Sequence, residues 1–164
     1  LKENRRMDEL QFSTLIDQHQ AMIWRVCRLY CNHAEDREDL FQEIAIKLWQ
    51  SQASFRGDAK FTTWMYRIAL NTAITSLRRR RPAVSYPGEV PDVAAELPDE
   101  EAAERYEKLS SAIRLLDDTE KALITLYLEG MSYAEIAEAL GITENYTGVK
   151  LSRIKDKLKT MVNR

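Results

Sequence analysis

Residues 132–158 read SYAEIAEALGITENYTGVKLSRIKDKL, two short amphipathic segments joined at a glycine. Ser132, with Glu135 three places on, forms a capping box that starts a helix over Tyr133–Leu140. Gly141 stops that helix with a sharp turn, because glycine enters the left-handed conformation without a steric penalty. Ile142 plugs the corner and Thr143 caps the next helix. There Thr147, Leu151, Ile154 and Leu158, at i, i+4, i+7 and i+11, form an inward stripe. Asn145, Tyr146, Val149, Lys150, Arg153 and Lys157 are left on the outer face. Amide, apolar and cationic groups on one exposed face suit base edges in a DNA major groove, with flanking cations for phosphate. The pattern predicts a helix-turn-helix; a helical hairpin that binds only protein is the alternative.

A second basic helix lies upstream, in residues 55–81, FRGDAKFTTWMYRIALNTAITSLRRRR. Trp64, Arg67, Asn71, Thr75 and Arg78 fall within a stripe roughly 80° wide on a helical wheel. Met65, Tyr66, Ala69, Leu70, Ala73 and Leu77 take the opposite, core-facing arc. An aromatic ring and an amide beside guanidinium groups suit nucleic acid whose bases are exposed: rings stack on unpaired bases and cations follow phosphate. Equally, Trp64 packs against its own helix end and the arginines are simply solvated.

Two more helices precede it. Apolar residues recur at helical spacing from Gln11 to Tyr30, and again from about Glu35 to Gln50, where Leu40, Phe41, Ile44, Ala45, Leu48 and Trp49 point inward. The acidic opening AEDRED suits a positive helix N-terminus. Residues 8–81 thus form one helical bundle, which Pro82 ends. Residues 82–108, acidic and proline-containing, read as a linker, and 109–164 as a second small domain. Fully extended, the linker spans about 90 Å, more than two turns of duplex at about 34 Å each. The fold class is all-α.

The net charge of −2 conceals this layout. Residues 1–81 carry 14 Lys/Arg against 10 Asp/Glu, residues 82–108 carry 2 against 8, and from Glu144 onward the count is 6 to 2. Local sign, more than the total, steers a protein towards phosphate. With 45% hydrophobic and 30% charged residues, the 164-residue chain is expected to be globular. No apolar run is long enough to cross a bilayer and no secretory leader opens the chain, although Met7 is a candidate initiator. Cys27 and Cys31, one helical turn apart, are badly placed for a disulfide. The expected compartment is the cytoplasm.

Three segments in order, EDREDLFQEIAIKLW (35–49), FRGDAKFTTWMYRIALNTAITSLRRR (55–80) and the helix-turn-helix, give a specific likeness. The chain resembles bacterial RNA polymerase sigma factors of the extracytoplasmic-function (ECF, group 4) class over about residues 10–161. The resemblance implies that Asp39, Gln42, Glu43 and Ile46 belong to the helix that docks on the clamp helices of the polymerase largest subunit. It implies that the loop Phe55–Thr63, with Arg56, Lys60 and Phe61, captures a base flipped from the −10 element. Trp64, Arg67 and Asn71 would then line the melted edge, and Arg78, Arg79 and Arg80 would hold phosphate. Lys121 would contact phosphate beside the −35 element, which the outer face of residues 145–157 would read. The implied partners are core RNA polymerase (clamp helices and flap), promoter DNA and an anti-sigma factor, with no cofactor, no metal and no membrane insertion.

The chain departs from the family pattern at several positions. Thr75 stands where many relatives carry an aspartate, Asp117 where a proline is common, and Thr147 and Gly148 where valine and lysine are usual. Gly148 is expected to weaken its helix by up to about 1 kcal/mol relative to Ala. Other classes remain open on the residues alone. These are a regulator that binds duplex DNA without polymerase, a protein-interaction adaptor, a zinc site of Cys27, Cys31, His19 and His33, and a metal-dependent hydrolase using the acids of 35–43. The last lacks an accompanying histidine or phosphate-binding glycine loop.

Overall fold

The computed structural model describes residues 7–80 and 99–164. Among them are seven α-helices, one 3-10 turn and no strand. The chain divides into two compact units, one within residues 1–90 and the other within 91–164.

In the first unit α1 spans Glu9–Tyr30, α2 Ala34–Ser51 and α3 Phe61–Arg80, and the three pack pairwise into a bundle. α1 begins earlier than its apolar periodicity suggests. Asp8 caps it, accepting from the Gln11 N–H at 2.8 Å while the Gln11 side chain accepts from the Asp8 N–H at 3.2 Å. The core comes from Met22, Ile23, Val26 and Cys27 of α1, Leu40, Ile44 and Leu48 of α2, and Met65, Ala69, Leu70 and Ala73 of α3. Each fully buried Leu or Ile contributes about 1.5–3 kcal/mol. Phe41 and Trp49, expected inward, are half-buried and complete the edges as ring pairs. Phe41 stacks on Trp24 with centroids 4.4 Å apart, and Trp49 meets Phe12 edge-on at 5.0 Å. Residue 81, Pro82 and the acidic stretch up to Pro98 lie outside the described residues.

In the second unit α4 covers Glu100–Arg114, α5 Asp118–Leu128, α6 Tyr133–Leu140 and α7 Glu144–Val162. Residues 100–108, grouped with the linker on charge and composition, are therefore helical. Asp99 caps α4, Glu100 and Glu101 suit its positive end, and Arg105–Glu101 (2.9 Å) and Lys108–Glu104 (2.8 Å) pair one turn apart. A charge run there is the solvated face of a helix. Leu116, just after α4, is buried, whereas its neighbour Leu115 is exposed.

The turn between α6 and α7 forms as the sequence predicts. Ser132 and Glu135 make their reciprocal box, Gly141 sits at φ 68, and the Ile142 N–H returns to the Ala137 carbonyl at 3.0 Å. Thr143 accepts from the Tyr146 N–H at 3.1 Å. Thr147, Leu151, Ile154 and Leu158 are all buried, and the Thr147 hydroxyl is satisfied by the Thr143 carbonyl at 3.0 Å.

A capping box that has no counterpart among the sequence expectations opens α5. Asp117 accepts from the Glu120 N–H at 2.8 Å, and Glu120 accepts from the Asp117 N–H at 3.2 Å and from Lys157 Nζ of α7 at 2.8 Å. Asp117→Ala should cost about 1 kcal/mol, read as a melting midpoint for this unit lower by about 4–8 °C. An unchanged midpoint would show the cap to be idle.

Candidate nucleic-acid interface

The first surface is built where α2 turns into α3. After the 3-10 turn Gln52–Ser54, Gly57 takes φ 79, a conformation that a side chain at this position would strain. The loop thereby returns Phe55 onto Phe61 and Trp64, all three centroid pairs lying 5.4 Å apart. His19 of α1 packs on Phe61 at 5.5 Å, and Trp64 Nε1 donates to Ser54 Oγ at 3.2 Å.

This cluster corrects the helical-wheel reading of Trp64. The indole is only 9% exposed, because the loop folds over the first turn of α3 and burying a large ring outweighs presenting it to water. The open stripe on α3 consists of Arg67, Asn71, Thr75 and Arg78, with Arg79 and Arg80 exposed at its end and Arg56 and Lys60 exposed on the loop.

On α2, Asp39, Gln42 and Ile46 are exposed, Ile46 by 55%. Glu43 differs: its carboxylate turns to α3, accepting from Ser76 Oγ at 2.9 Å with Arg80 at 3.9 Å. The ion pair is half-solvated and worth under about 1 kcal/mol, whereas the hydroxyl bond fixes the carboxylate. One helix therefore offers Asp39, Gln42 and Ile46 outward while Glu43 braces the basic end of the next.

Cys27 and Cys31 are buried free thiols. Burial, reinforced at Cys27 by its neighbour Cys31 and at Cys31 by Asp36, pushes them from 9.0 up to about 12 and about 11. His19 faces the Phe61 ring, and no cluster of three or more His, Cys, Asp or Glu suited to a metal occurs among the described residues. Because the folded pKa values are raised, the neutral thiols favour the fold fully below pH 9, and that stability is lost as pH rises through about 11. The urea midpoint should therefore be lower above pH 10 than at pH 8, and iodoacetamide at pH 8 should label both thiols only in urea. Rapid labelling of the native protein would refute this.

The second surface is the open side of α7. Asn145, Tyr146, Val149 and Arg153 are exposed, and Lys150 lies 5.8 Å from the Tyr146 ring centre. Lys157 is drawn across to Glu120 at 2.8 Å, a hydrogen bond that raises its pKa, so it belongs to the α5–α7 contact. Lys155, absent from the expected set, sits 3.9 Å above the Tyr127 ring. Lys121 is half-buried on α5.

Tyr133, Glu144, Asn145, Gly148, Val149, Ser152 and Arg153 line a shallow depression. Gly148 and Ser152 were legible as i+3 and i+7 from Asn145 on the outward face. Tyr133, from α6, was not, because its position depends on how the two helices pack.

Both surfaces lie in segments with known counterparts. Residues 15–83 match the family model for Sigma-70 region 2, and residues 106–158 match that for Sigma-70, region 4. An ECF RNA polymerase sigma-E factor of Haemophilus influenzae is 31% identical, the alignment covering 94% of this chain and 89% of that protein. The chain belongs to the ECF sigma factors of the sigma-70 family. The RNA polymerase sigma-H factor of Pseudomonas aeruginosa is 33% identical over 82% of this chain and 77% of its own. The fold is also that of the sigma factor RpoE of Bartonella quintana, solved with the anti-sigma factor NepR, at a TM-score of 0.76 and 18% identity over 93% and 96% of the two chains. As a sigma factor the chain is a transcription initiation factor and no enzyme. The α3 stripe lies within the region 2 match and the α7 face within the region 4 match.

Proposed function

We propose that this ECF sigma factor divides promoter recognition between its two units. The observation that carries the proposal is a pair of exposed cationic helix faces, Arg67–Asn71–Arg78 on α3 and Asn145–Val149–Arg153 on α7, each backed by its own core. The α7 face enters the major groove of the −35 element, with Lys150 and Lys121 directed at phosphate. The loop Phe55–Lys60 and the open stripe of α3 hold the −10 element once its strands part. Arg56 and Lys60 meet the backbone, Asn71 meets a base edge, and the Phe55–Phe61–Trp64 cluster gives the loop a firm base. Arg78, Arg79 and Arg80 follow phosphate beyond the junction.

Melted DNA is then favoured by tighter binding of the open than of the closed form, with no covalent step. Asp39, Gln42 and Ile46, with Glu43 behind them, offer the polymerase clamp helices a polar face around one apolar anchor. The flap is the expected second contact. Residues 8–81 thus serve polymerase and the −10 element, and the helical unit from α4 onward serves the −35 element. The work takes place in the cytoplasm. The Bartonella complex supports control of this chain by an anti-sigma factor.

Promoter binding measured with and without core polymerase tests this reading. Tight binding is expected only with polymerase. Strong duplex binding by the chain alone, falling steeply with salt, would instead favour a stand-alone regulator.

A further inference from the structure

The depression on α7 has a chemistry of its own. Asn145, Val149, Ser152 and Arg153 face away from the buried stripe of Thr147, Leu151, Ile154 and Leu158, while Gly148 lies at the edge of that face beside α6, and Glu144 also lines the depression. At that edge position 148 has no side chain. The Tyr133 ring fills the flank instead, its Cε2 only 3.4 Å from where a Cβ of residue 148 would stand. Val149 is 45% exposed beside this notch. Beside Gly148 the depression is therefore recessed and has an apolar strip of valine methyls and a ring edge, bordered by the polar Ser152 and Glu144. Asn145 lies one turn before it and Arg153 one turn after it.

In a major groove the one apolar feature of a base pair is the thymine C5-methyl, while a guanidinium pairs with guanine O6 and N7. Resting on the proposed placement of α7 in the −35 groove, we infer that the Gly148–Val149–Tyr133 notch seats a thymine methyl, with Arg153 on a nearby guanine. The small residue at 148 is what lets Val149 approach the base; a long side chain there would stand between them. The loss of helix propensity at Gly148 is thereby tied to specificity.

The test uses holoenzyme assembled from the full chain and core polymerase, on a promoter whose −35 protection has been mapped. Each thymine in the protected segment is replaced singly by deoxyuridine, which removes only the methyl. One position should lose about three- to fourfold in affinity, the worth of one buried methyl group. Val149→Ala should bind thymine and deoxyuridine equally at that position. Insensitivity of every thymine, or a methyl effect of the same size in Val149→Ala, would overturn the inference. Absence of any −35 protection would instead refute the underlying placement of α7, so the two failures are distinguishable.

Discussion

Replacing Lys150 and Arg153 together by alanine should abolish transcription that depends on the −35 element while leaving the protein folded. Arg153 is exposed and Lys150 makes only a loose approach to the Tyr146 ring at 5.8 Å, so neither supports the core formed by Leu151, Ile154 and Leu158. A bidentate arginine–guanine contact is worth about 1–3 kcal/mol, and loss of a phosphate-directed lysine lowers the salt slope by about 1. Together they should reduce promoter occupancy by about 10- to 1000-fold. The check is run-off transcription on paired templates with intact and scrambled −35 elements: the double variant should no longer distinguish them. Unchanged promoter choice, with an unchanged melting midpoint, would remove α7 from DNA recognition.

Trp64 gives the second large effect, and burial changes its form. Were the indole an open stacking platform, Trp64→Ala would slow melting of the promoter and spare polymerase binding. With the ring 9% exposed against Phe55 and Phe61, alanine leaves a cavity and should cost about 3–5 kcal/mol, a large share of the about 5–15 kcal/mol that holds a domain together. Polymerase affinity and promoter melting should then fail together, with an early thermal transition. Trp64→Phe separates the roles. It keeps an aromatic filler and loses the Nε1–Ser54 bond of 3.2 Å, at about 1 kcal/mol. That variant should bind polymerase normally and open promoters more slowly, because the loop Phe55–Lys60 is held less firmly. Equal loss of both activities in the phenylalanine variant would contradict a loop-positioning role.

The contrast between α7 and Trp64 explains what could be read from the sequence. In α7 the buried and outward faces follow from a 3.6-residue period and from caps written in adjacent residues: Ser132 with Glu135, Gly141, and Thr143. Such signals are local, so they survive folding. Trp64 obeys the same period, yet its exposure is set by Phe55, a residue nine positions away on a loop whose return depends on Gly57 at φ 79. Glu43 is similar: periodicity leaves it near the open side of α2, and only the packing of α3 brings Ser76 Oγ within 2.9 Å. Tyr133 over Gly148 and Lys157 on Glu120 are likewise products of tertiary contact. Residues 100–108 differ from their linker-like composition for another reason. Acidic composition marks linkers and solvated helices alike, and the distinguishing evidence lies in the i, i+4 pairs Glu101–Arg105 and Glu104–Lys108.

Mapping start sites made by core polymerase on genomic fragments, with and without this chain, tests the central claim most directly. New starts should appear only when the chain is present. Each should lie downstream of two separated DNA elements, the upstream one losing its influence in the Lys150→Ala, Arg153→Ala variant. If the polymerase ignores the chain and begins nowhere new, the two basic helix faces do not serve initiation and the account is wrong.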